Sequence, residues 1–272
     1  DTFTVVLDAQ PASNVVISVT SNDTTEATVS PGTLTFTSGN WNSAQTVTVT
    51  GVNDNLVDGT QTSTLTLSVV DGSSDNNFDP VNDQTVSATT TDNDTAGFTV
   101  VQSGGSTSVA ETGSTDTFTV VLDAQPTSNV VISVASGDTG EATVSPATLT
   151  FTSGNWNSAQ TVTVTGVDDS LVDGSQTTAA TISVVDASSD DDFDGVANQT
   201  VSITTTNDDT AGFTIAISGG STSVAETGST DTFTVVLDAQ PTSNVVISVA
   251  SGDTGEATVS PATLTFTSGN WN

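Results

Sequence analysis

Residues 116–123 read "DTFTVVLD", an alternation that sets Phe118, Val120 and Leu122 on one side of an extended chain and Thr117, Thr119 and Val121 on the other. Side chains alternate across a strand with a period of two, so this stretch predicts a strand with one buried face. The same letters, continued as "DTFTVVLDAQP", begin at Asp1, Asp116 and Asp231, a period of 115 residues. Residues 1–115 and 116–230 differ at 24 positions, and residues 231–272 match 116–157 at all 42. That period exceeds the ~20–50 residues of a solenoid repeat and suits a small domain. The chain reads as beads on a string.

The rest of one unit keeps the same period in "NVVISVAS", "ATLTFTS", "QTVTVTGV", "TAATISVVDA" and "QTVSITTT". Val162 and Val164 are predicted to face inward, with Thr161, Thr163 and Thr165 on the wet face. Threonine is β-branched and hydrogen-bonds water, so it suits that face. Gly, Pro, Asn and Asp separate the runs, and no stretch shows capped helical periodicity. Seven or eight short strands per unit predict an all-β fold, an antiparallel sandwich. Pro146, with its counterparts Pro31 and Pro261, is expected at an edge or at a crossing between sheets. Trp156 in "SGNWNSAQ" is expected to cap the core rather than to stack a sugar. The acidic joints "TTTDNDTAGF" (89–98) and "TTTNDDTAGF" (204–213) divide the chain. Residues 1–95 form a repeat lacking its first strands, 96–210 a complete repeat, and 211–272 the N-terminal half of a third. The segment reads as a window on a longer array.

Composition narrows the function. There are 32 Asp and Glu and no Lys, Arg or His, a formal charge of −32. Like charge at this density repels nucleic acid and anionic membrane surfaces. Disorder fits badly, because 33% of the residues are hydrophobic and many are β-branched. No apolar run approaches the ~18 residues of a membrane span. A chain without Cys or Lys suits an extracellular or cell-surface setting, where oxidants and trypsin-like proteases act. Nucleophilic catalysis needs a base beside the nucleophile, and His, Lys and Cys are all absent. Carboxylate pairs in the turns of near-identical beads show no cleft, so an enzyme is not expected.

The acids themselves are patterned. "GVDDSLVDG" (166–174) crowds Asp168, Asp169 and Asp173 into one loop between strands. Strands that alternate up and down bring "SVAETG", with Glu111, and the joint "TNDDT", with Asp208 and Asp209, to the same end. Asp138 or Glu141 in "SGDTGEAT" is a less secure fourth contributor. Hard cations such as Ca²⁺ take about six to eight oxygens, many of them carboxylate. Unit charges 4 Å apart otherwise repel by roughly 4 kcal/mol at an effective dielectric of 20. A calcium site is the reading preferred here, and a solvated acidic loop that keeps the array soluble is the alternative. Soft metals lack ligands. The run "SSDDDFDG" (188–195) is open to a second ion or to simple solvation.

"LTFTSGNWNSAQTVTVTGVDDSLVDGSQT", followed by "SSDDDFDG" and "TTTNDDTAGF", resembles the Calx-beta domain as it occurs in tandem in large bacterial surface proteins and adhesins. The resemblance covers essentially the whole unit. It implies immunoglobulin-like sandwiches that bind calcium at loops on one end. It also implies metal ligands at Glu111 and Glu226, at Asp168, Asp169 and Asp173, and at Asp208 and Asp209. In the first repeat the matching positions are Asp54, Asp58, Asp92 and Asp94. Asn53 there replaces the first acid of the pair, which weakens that site.

Two functions are carried forward. One is a structural segment of a long extracellular stalk or filament, its joints stiffened by Ca²⁺, with neighbouring repeats and further copies of itself as partners. The other is a carbohydrate- or receptor-binding adhesin module, which the near-identity of the beads disfavours.

Overall fold

Alternating Thr with Val or Ile produces twenty short strands in the computed structural model, which describes residues 1–272. The first repeat contains β1 (Thr2–Val5), β2 (Val15–Ser21), β3 (Ala27–Ser30), β4 (Thr33–Phe36), β5 (Gln45–Gly51), β6 (Gln61–Val69) and β7 (Gln84–Thr90). The central repeat adds β8 (Phe98–Gln102), β9 (Thr107–Ala110), β10 (Thr115–Leu122), β11 (Val130–Ser136), β12 (Ala142–Ser145), β13 (Thr148–Phe151), β14 (Gln160–Gly166), β15 (Gln176–Val184) and β16 (Gln199–Thr206). The third holds β17 (Phe213–Ile217), β18 (Phe233–Leu237), β19 (Val245–Ser248) and β20 (Thr263–Phe266).

The central repeat is a two-sheet sandwich with strand orders β12-β14-β10-β8 and β13-β11-β15-β16-β9. The opening alternation reads out as burial. Phe118, Val120 and Leu122 are at most 2% exposed and meet Phe151, Ile132, Ile182 and Ile203 from the facing sheet. Each such side chain contributes about 1.5–3 kcal/mol by leaving water. Pro146 links β12 in one sheet to β13 in the other, so it stands at the crossing between sheets. Trp156 leans on the core, and its carbonyl accepts the Leu122 N–H at 3.1 Å.

Two features depart from the sequence reading. The central repeat has nine strands, and one pairing is parallel: β9 beside β16, with Ile203 opposite Thr107 and Thr206 opposite Ala110. The chain leaves β8 in one sheet and crosses through a Gly-Gly turn to β9 in the other. Parallel partners need a long connection, and here nearly the whole repeat lies between them. Alternation within a strand carries no information about that direction.

Matching positions are buried differently in the other repeats. Val164 and Ile203 are fully buried, whereas their counterparts Val49 and Ala88 in the first repeat are only half-buried. Val49 and Ala88 border a groove lined also by Phe3, Ala27, Leu65 and Val86. In the third repeat β17 pairs with β18, and Phe213, Ile215 and Ile217 are 52%, 51% and 47% exposed. No helix is long and apolar enough to cross a membrane.

Candidate metal centre

The centre forms where β9, β14 and the joint after β16 converge. The Glu111 N–H donates to the Thr206 carbonyl at 3.1 Å, which extends the parallel ladder and fixes Glu111 beside the joint. Gly166 ends β14 directly beneath the Ala110 carbonyl, where any Cβ would collide with that oxygen. β9 therefore reaches this end of the sandwich only because residue 166 has no side chain. Beyond β14 the Val167 N–H donates to the Glu141 carbonyl at 2.9 Å, drawing Glu141 alongside. The Asp169 carboxylate accepts from the Leu171 N–H at 2.6 Å, and Gly174, with φ of 77°, closes the loop. In the joint, the Asp209 N–H donates to the Asn207 side-chain oxygen at 2.6 Å and the Asp208 N–H to Glu111 Oε2 at 3.3 Å.

Glu111, Asp169 and Asp209 each bring one carboxylate oxygen within 4.8 Å of the others. Glu111 is 1% exposed; Asp169 and Asp209 are half-buried. Four buried oxygens at this end have no hydrogen-bond partner: Glu111 Oε1, Glu141 Oε2, Asp173 Oδ1 and Asp209 Oδ2. Electrostatics follow the crowding. Burial pushes the Glu111 carboxyl above its ordinary range, and Asp169, Asp173 and Glu141 push it further. Glu141 is raised by burial and then by Asp173 and Asp169. Asp209 is raised by burial and then by Asp208 and Asp169. Buried polar atoms are nearly always paired, so four orphaned acceptors in one place mark a missing donor or cation.

The donor set fits a hard divalent ion. Every donor is oxygen, no Cys or His is present, and a 4.8 Å spread is about twice a 2.3–2.6 Å Ca–O bond. Glu111, Asp169 and Asp209 would hold such an ion, with Asp173 and Glu141 beside them. Of the remaining acids expected here, Asp168 and Asp208 lie exposed on the rim. Glu141, one of two alternatives open from the sequence, is the member that burial singles out; Asp138 is exposed.

The other repeats assemble less. Asp92 is saturated by backbone donors, with Oδ2 accepting from Asp58 and Gly59 at 3.2 and 3.0 Å and Oδ1 from Asp94 at 2.7 Å. These bonds hold its carboxyl below the ordinary range, the Asp94 bond most. Asp54 accepts the Leu56 N–H at 2.9 Å, Asp58 is raised by burial, and Asp94 is half-buried. Glu26, the counterpart of Glu141, is raised by burial and then by Asp58 and Asp54. No three acids of this repeat come within ligand distance. Glu226 is exposed.

The run at 188–195 has a different use. Asp190 is 3% exposed and accepts from Thr127 Oγ at 2.7 Å, from the Ser128 N–H at 2.6 Å and from the Asp192 N–H at 3.2 Å. Asp75 does the same for Ala12 and Ser13 at 2.7 and 3.0 Å. Both carboxylates are satisfied internally and clamp the β10–β11 or β1–β2 loop. Nothing in the letters distinguishes these structural acids from the ligand candidates.

No family model matches the chain, and no curated protein does. Solved structures match weakly. Domains 4 and 5 of the S-layer protein SbsC align over 70% of each chain at 20% identity and a TM-score of 0.33. Domains 1–6 of the same protein cover 92% of this chain at 18% identity and a TM-score of 0.33, so this chain spans only 28% of that one. CBD12 from CALX1.2 aligns over 75% of this chain and 93% of its own at 10% identity and a TM-score of 0.28. At such TM-scores the likeness carries no functional inference. What stands is a chain of β-sandwich repeats.

Proposed function

We propose that the chain is a structural segment of an extracellular, cell-surface array of Calx-beta-like repeats, a stalk or filament whose loops and joints are stiffened by Ca²⁺. One observation carries this reading: the loop holding Asp169 and Asp173 also reaches the following repeat, where its Ser170 carbonyl accepts the Gln240 N–H at 2.6 Å. An ion held by Glu111, Asp169 and Asp209 would tie three segments to one point: the end of β9, this loop, and the joint. When bound, it supplies the positive charge that the polypeptide lacks. The residues themselves position oxygens and exclude water at Glu111. The role is mechanical, with no catalytic step. Trp156 leaning on the core favours this reading over the carbohydrate-binding module. Lateral association into filaments through Thr-rich edge strands without protecting Lys belongs to the same proposal.

Calorimetric titration with Ca²⁺, paired with small-angle scattering in Ca²⁺ and in EGTA, tests it. Saturable binding with a longer, narrower particle in Ca²⁺ is the expected result. Absence of binding, or identical scattering in both conditions, overturns it.

A further inference from the structure

Two main-chain contacts cross between repeats, and both recur at the sequence period. At the first joint Leu56 forms an isolated parallel bridge with Gln125: the Gln125 N–H donates to the Asn55 carbonyl at 2.7 Å, and the Val57 N–H donates to the Gln125 carbonyl at 2.9 Å. At the second, Leu171 bridges Gln240 with the corresponding bonds at 2.6 and 3.4 Å. The donor is the "LVDG" loop of one repeat and the receiver is the "LDAQP" corner of the next.

Side chains join in. Val57 is 9% exposed, and the core in which it is buried is that of the following repeat, with Phe98, Phe118 and Ala124 among its members. A first-repeat residue is thus a core residue of the second. The receiver is held ready by its own repeat: Gln125 Nε2 donates to the Ser153 carbonyl at 3.0 Å and Gln240 Nε2 to Ser268 at 2.8 Å. Gln10, which meets no donor loop in this chain, makes the same bond to Ser38 at 2.9 Å. The corner is therefore shaped before a neighbour arrives. Position 55 contributes its carbonyl to the bridge, so Asn55 and Ser170 both serve, although the second valine bond is longer and Val172 is half-buried rather than core.

We infer that the "LVDG" loop is a clasp: each repeat docks a valine into the core edge of the next and locks it with a two-bond parallel bridge. The partner it fits is the "LDAQP" corner of another repeat of this kind. Neighbouring repeats are then coupled in stability and orientation, as in linear arrays with nearest-neighbour interface terms. The clasp consists of main-chain bonds and an apolar side chain, none of them a carboxylate, so it can be tested apart from the calcium reading that invokes the same loop contact; Asp54 and Asp58, or Asp169 and Asp173, flank it on the loop.

The test is hydrogen exchange read by mass spectrometry on the full 272-residue chain in EGTA. Val57→Ala is expected to speed exchange in β10 and β14 of the central repeat by about tenfold, more than in the strands of its own repeat. Val172→Ala is expected to act on β18 and leave β10 unchanged. A response to Val57→Ala confined to residues 1–95, or absent everywhere, overturns the clasp. Gln125→Ala, which removes no core side chain, is expected to broaden the scattering-derived particle length in EGTA; an unchanged profile counts against it. Failure of calcium binding alongside the Val57→Ala response removes only the calcium reading. Calcium-dependent stiffening with a silent Val57→Ala removes only the clasp.

Discussion

Glu111 is a carboxylate that water barely reaches, with one oxygen unpaired and three acids acting on it. Ionised, it opposes folding unless a cation joins it; neutralised, it does not. Glu111→Gln should therefore raise the melting temperature in EGTA while weakening Ca²⁺ binding at least tenfold. Thermal shift with and without Ca²⁺ reads both, and equal losses in the two conditions would contradict the assignment. The pH dependence in EGTA follows from the same shifts. Glu111 and Glu141 lie above the ordinary glutamate value of 4.5, so over that interval the folded state binds more protons than the unfolded. Stability should rise as pH is lowered from neutral toward 4.5. Asp190 works the other way: burial alone would push its carboxyl up, but hydrogen bonds from Thr127 and Ser128 hold it below the ordinary 3.8. Its contribution is present above 3.8 and is lost as pH falls through its depressed value, which makes the low-pH limb fall. A pH series of melting curves should show that maximum. Asp190→Ala, which strips the clamp from Thr127 and Ser128, should destabilise the chain by about 1–3 kcal/mol at neutral pH, measured by urea unfolding.

At the scale of elements, the alternation in "DTFTVVLD" was enough to place Phe118, Val120 and Leu122 in the core, because a strand with a wet and a dry face has only one way to lie. Pro146 was legible because proline cannot donate to a sheet ladder and so falls at an edge or a crossing. The parallel partnership of β9 and β16 was not legible, since it joins residues 97 apart, such as Val109 and Thr206. Yet it places Glu111 beside the joint. Gly166 is the hinge of that arrangement. Gly166→Ala should force β9 away from β14, lower the melting temperature by roughly 4–8 °C per kcal/mol lost in a domain of this size, and abolish Ca²⁺ binding at the central site. Retention of normal affinity by this variant would show that β9 does not carry the ligand.

For the whole molecule, the charge of −32 has no internal counterpart and is screened only by ions from solution. Added NaCl should stabilise the EGTA-treated chain by shortening the Debye length, to about 3 Å at 1 M. Millimolar Ca²⁺ should do more than NaCl of equal ionic strength. A match between the two salts would mean screening alone, without a site. Composition, repeat period, strand faces and the clustering of acids could all be read from letters, because each depends on residues near one another in the chain or on counts over the whole of it. Which acids meet could not. Asp169, Asp173, Asp190 and Asp208 look alike in sequence, but folding leaves an oxygen of Asp173 orphaned beside Glu111, saturates Asp190 and exposes Asp208 on the rim. The same is true of Val57, an ordinary loop residue in the sequence that becomes core in the neighbouring repeat. The physical reason is common to both cases: burial and pairing are set by what arrives from distant segments, and β-sandwiches are assembled almost entirely from such distant contacts.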